Sequence, residues 1–100
     1  MERDKTQSLT AVDVTKTIAT ASTLILGVNS YRVWATLVNQ GADDVWLKLG
    51  AAAVKNQGLL IKKAGGSITI NKNEPWYGEV YGIADTAPSI VCGQEVEEQH

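Results

Sequence analysis

The sequence predicts an all-β fold, a compact antiparallel β-sandwich or jelly-roll-like barrel of about eight short strands. β-Branched residues recur in short runs, Gly, Asn, Asp and Ser separate those runs, and no stretch sustains apolar residues at helical spacing. With 100 residues, 44% hydrophobic and 20% charged, the chain has material for one core and no second domain. The expected organisation is a polar N-terminal arm at 1–9, a single sandwich domain at 10–97 and a short tail at 98–100.

Residues 10–18 alternate, with Val12, Val14 and Lys16 on one parity and Ala11, Asp13, Thr15 and Thr17 on the other; the polar face marks an edge strand. Thr23-Leu24-Ile25-Leu26, stopped by Gly27 and Asn29, is too short for a buried helix and reads as a second strand. The clearest alternation spans 31–39. There Tyr31, Val33, Ala35 and Leu37 share one face and Arg32, Trp34, Thr36 and Val38 the other, as in a central strand covered on both sides. Gln40-Gly41-Ala42-Asp43 has hairpin-loop residues and Asp44 to Leu49 resumes the alternation, so these two strands are expected to pair antiparallel. Residues 50–58 fit either one helical turn around Ala51-Ala52-Ala53 or a surface loop. Two further strands, at 58–63 and 67–71, flank Ala64-Gly65-Gly66, whose glycines supply positive φ for a tight connection; Ile68 and Ile70 point inward. Pro75 has no N–H for a ladder, so the next strand starts at Trp76 or Tyr77, runs to about Ala84 and lines one face with Tyr77 and Tyr81. Residues 89–96 close the domain.

Nothing in the sequence assembles a reaction centre. The only histidine, His100, is the last residue, and a nucleophile would need a base beside it. Cys92, between apolar neighbours, reads as a small hydrophobic filler; with no second cysteine it makes no disulfide within the chain and no Cys/His zinc site. Asp43 and Asp44 are adjacent in a loop and read as turn residues rather than as a metal pair. The glycines match no phosphate-binding pattern, and no cofactor is expected. Nine Lys and Arg against eleven Asp and Glu leave a net charge of −2, which argues against nucleic acid as a ligand. The polar start lacks the apolar run of a signal peptide, and no stretch approaches a membrane span.

The candidates for function are therefore surfaces. With no Phe, three Trp and three Tyr, every ring carries a hydrogen-bonding group, the type favoured at interfaces. Trp34 and Trp46 lie opposite the aliphatic stripes and are expected to face outward on one sheet, under a second subunit, the N-terminal segment or a sugar ring. Trp76 and Tyr77, after Pro75, are expected to cap an end of the core. Lys55, Lys62 and Lys63 cluster along the sequence and either protect a sheet edge or meet an acidic surface, such as Glu95-Val96-Glu97-Glu98 of a neighbouring copy. Arg3 and Lys5 belong to the arm, which is expected to lie across a neighbour.

From Arg32 onward the chain resembles small β-sandwich virion proteins of tailed bacteriophages. The resemblance spans about residues 31–96: a strand beginning with Arg, then Asn-x-Gly, a Val-aromatic-Leu strand, Leu60 before Gly65-Gly66-Ser67-Ile68, and Gly78-Glu79-Val80-Tyr81-Gly82-Ile83-Ala84 before a final Val-rich strand. It implies a non-enzymatic virion component made in the host cytoplasm. The favoured form is a capsid decoration (cement) protein, commonly trimeric, that binds the major capsid protein; the alternative is a tail or baseplate accessory. A carbohydrate-binding module built on a coplanar pair among Trp34, Trp46, Trp76 and Tyr77 is the reading from another class.

Overall fold

The structure, a computed structural model, describes residues 9–71 and 73–98. It consists of β1 (Leu9–Ile18), β2 (Thr23–Leu26), β3 (Arg32–Asn39), β4 (Val45–Leu49), β5 (Leu59–Ile61), β6 (Ser67–Ile70), β7 (Val80–Ala84) and β8 (Ser89–Glu98). The first sheet runs β1-β8-β3-β6 and the second β2-β7-β4-β5, antiparallel throughout. Strand 1 thus pairs with 8, 2 with 7, 3 with 6 and 4 with 5, the nested pairing of a jelly roll. Between the sheets lies one apolar core, in which Ile18, Leu37, Val45, Leu47, Val80 and Val91 are all but sealed from solvent.

The polar alternation of β1 does mark an edge: only Val14 and Ile18 are buried, and the strand closes one side of the first sheet. Other expectations are corrected. The strands before and after Gln40-Gly41-Ala42-Asp43 do not pair with each other; β3 lies between β8 and β6, and β4 between β7 and β5 in the opposite sheet. The reason sits at Asn39, fully buried, whose Nδ2 donates to the carbonyls of Asp43 (2.7 Å) and Ile61 (3.0 Å) and steers the chain across the core. Alternation reports which face a strand buries, not which strand it neighbours.

Nor is β3 covered on both sides, since Trp34, Thr36 and Val38 remain partly exposed. A register shift between Arg32 and Trp34 marks a bulge at Val33, which turns Arg32 to the inside with Ala35 and Leu37 and breaks the expected parity. Residues 50–58 form a loop rather than a helical turn, with positive φ at Gly50, Asn56 and Gly58. In the Ala64-Gly65-Gly66 connection positive φ falls on Ala64 and Gly65, not on Gly66, and the chain passes from one sheet to the other. Ile70 is buried and Ile68 packs on the core. Strand β7 begins only at Val80, because the preceding segment is held by Arg32, so Tyr77 lies outside the strand and does not share its face with Tyr81.

Candidate interaction faces

The three buried polar residues, Arg32, Asn39 and Ser89, are all spent on the fold. Arg32 is 2% exposed. Its Nε meets the Glu95 carboxylate at 2.6 Å, Nη1 donates to the carbonyls of Trp76 (2.7 Å) and Gly78 (3.1 Å), and Nη2 to that of Gly27 (2.7 Å). One planar fork thereby ties β3, β8 and two loops together. Asn29 Nδ2 completes the knot on Glu97 (2.8 Å) and Glu95 (3.4 Å). At the other end, Ser89 Oγ donates to Asn39 Oδ1 (2.9 Å), which also accepts from Gly41 N–H (3.0 Å). Asp43, read from the sequence as a residue of its own turn, instead braces the loop between β7 and β8: Oδ2 accepts from the N–H groups of Thr86 (2.6 Å) and Ala87 (2.7 Å) and from Thr86 Oγ1. The Ala87 and Thr86 amides, in that order, hold its carboxyl below the usual aspartate range. Asp44 receives Lys63 N–H (2.8 Å) and faces Lys62 Nζ at 3.8 Å. No buried side-chain donor or acceptor among the described residues lacks a partner.

What remains for function is outside. Trp34 and Trp46 both point outward, but on opposite sheets, not on one: the crossing at Asn39 places β3 and β4 on opposite sides of the core. Trp34 stands on the first sheet opposite Val96 and separates two shallow grooves. One, of about 570 Å³, is lined by Leu9, Val33, Val96, Asn71 and Asn73. The other, of about 400 Å³, carries Asp13, Thr15, Thr36, Cys92 and Gln94. Cys92 is half-buried on this outer face rather than in the core. Trp46 lies on the second sheet between Ile83 and Leu60, the latter 43% exposed.

Trp76 packs against the core and its indole N–H donates to the Glu79 carbonyl at 3.0 Å, the expected end cap; Tyr77 beside it is exposed. Tyr81 donates to the Glu79 carboxylate (3.0 Å), which raises its phenol above the usual range. Lys62 and Lys63 follow β5 and are exposed, whereas Lys55 lies apart from them in the loop after β4. Arg3, Lys5 and His100 lie outside the described residues. Among those described, no cluster of three or more His, Cys, Asp or Glu is placed to hold a metal. Sequence reading missed Arg32, Asn39 and Ser89 as structural polar residues. The one available signal was a lone arginine opening an otherwise apolar strand.

No family model and no curated protein matches the chain. Among solved structures it is similar in fold to a chain from the disulfide-linked pili of Bacillus endospore appendages, with a TM-score of 0.58, 13% identity, and coverage of 92% of this chain and 88% of that one. At that identity the likeness concerns the fold alone.

Proposed function

We propose that the chain is a non-catalytic structural subunit whose work is to bind other protein surfaces, in the form of a decoration of a bacteriophage capsid lattice built from the major capsid protein. One observation carries the reading. All the buried polar side chains hold the fold together, while half-exposed tryptophans with aliphatic neighbours occupy both outer faces. A surface of rigid amphipathic rings amid Thr and Asn suits docking on protein. Trp34 and Trp46 cannot form a joint sugar platform, because the whole sandwich lies between them.

The likeness to a pilus protein favours a second reading, in which copies of the chain build a filament by themselves. Co-sedimentation with undecorated capsid shells and electron microscopy of the concentrated chain separate the two. Pelleting with shells and no fibres is the expected result; fibres without shells would move the assignment to the filament, and neither would end both.

A further inference from the structure

Among the described residues the longest edge is β1, ten residues from Leu9 to Ile18, whose far side meets no other described strand of its sheet. The other edge strands are short: β2 and β6 have four residues each and β5 has three. Leu9 and Val12 on β1 are 52% and 49% exposed. Such an edge is a template for another strand, and proteins that avoid pairing blunt it with bulges, prolines or charges. Strand β1 has no register shift against β8, no proline, and only Asp13 and Lys16 as charged residues.

We propose that β1 pairs antiparallel with β1 of a second copy of this chain, about a two-fold axis at Val14. The register follows from elimination. Residues facing each other across an antiparallel pair share a parity, so the near-complete overlaps centre on Asp13 or on Val14. Centring on Asp13 sets two carboxylates against each other. Centring on Val14 sets Val14 against itself, Asp13 against Thr15, and Lys16 against the exposed Val12.

The charges agree with this register. Val12 is the neighbour of Glu95 on β8, and Thr10 of Glu97. Glu95 holds the Arg32 guanidinium and Glu97 accepts from the neutral amide of Asn29, so the described residues bring a single cation to these two carboxylates at the mouth of the sandwich. Lys16 of the second copy arrives across Val12, its stem over the exposed valine and its ammonium toward Glu95 and Glu97. Two strand spacings, about 10 Å, lie within the combined reach of a lysine and a glutamate. Pairing over residues 10–18 covers a side about 30 Å long and about 20 Å deep, on the order of 600 Å² per copy, at the lower bound of a specific interface. The first sheet becomes eight-stranded, and both copies turn their Trp34 face to the same side, which offers a lattice two attachment points.

The pairing rests on the edge and not on the partner proposed above; a dimer that ignores capsid shells would overturn that assignment alone. Sedimentation equilibrium of the full chain, Val12→Lys, and Val12→Lys with Lys16→Glu tests it, with circular dichroism as the fold check on these exposed positions. The wild type is expected to dimerise, Val12→Lys to raise the dissociation constant at least about tenfold by facing lysine with lysine, and the double variant to recover. A wild type that is monomeric at about 200 μM, a Val12→Lys that dimerises as before, or a double variant as weak as the single one overturns the proposal.

Discussion

Arg32 shows how one residue sets the geometry around it. Its guanidinium has no exposed surface, and its partners come from β8 and from the loops after β2 and before β7, at one end of the opposite sheet. Arg32→Met is expected to cost about 3–5 kcal/mol in urea unfolding, because it strands the Glu95 carboxylate and several carbonyls without a donor. Arg32→Lys is expected to recover little, since an ammonium cannot reproduce the planar fork. Asp43 makes a separate, pH-dependent contribution. Its folded pKa is depressed, so the stabilisation is present above the usual aspartate range and is lost as pH falls through the lower folded value. The urea midpoint followed from pH 6 to pH 2 should fall in that acid window, and Asp43→Asn should start lower and fall less steeply; parallel curves would remove Asp43 as the source.

At the scale of elements, the alternations of β1, β3 and β4 and the punctuating glycines were enough to expect eight strands in an antiparallel sandwich. Pairing was not legible, because period-2 patterning names a buried face and is silent about neighbours. The Val33 bulge was equally hidden: its consequence, a buried arginine where parity predicts an outward one, arises from contacts with Gly27, Trp76 and Gly78 distant along the chain or outside the strand. The same blindness put Trp34 and Trp46 on one sheet. Gly93 shows how tight the resulting ladder is. A Cβ there would collide with the backbone carbonyl of Thr36 on β3, which cannot swing away as a side chain would. Gly93→Ala is expected to destabilise by about 1–3 kcal/mol and to loosen hydrogen-exchange protection in β3 and β8 before the second sheet. Uniform loss of protection would mean that the two sheets do not open separately.

For the whole molecule, the placement of Trp34 and Trp46 on opposite faces turns the choice between decoration and filament into a question about two side chains. A subunit sitting on a lattice presents one face to it, whereas a subunit stacked front to back in a filament covers both. Each ring is half-exposed, so truncation is expected to cost folding about 1 kcal/mol, far less than a core tryptophan. At a docking centre the same truncation costs about 2 kcal/mol or more of binding, roughly thirtyfold in affinity. Under the decoration reading Trp34→Ala is expected to abolish pelleting with shells, because its face carries the larger groove and is the one that two-fold pairing doubles, while Trp46→Ala pellets as the wild type does. Loss with Trp46→Ala alone would assign docking to the second sheet. Equal loss with both, at unchanged urea midpoints, would mean that both faces are covered and that the copies stack.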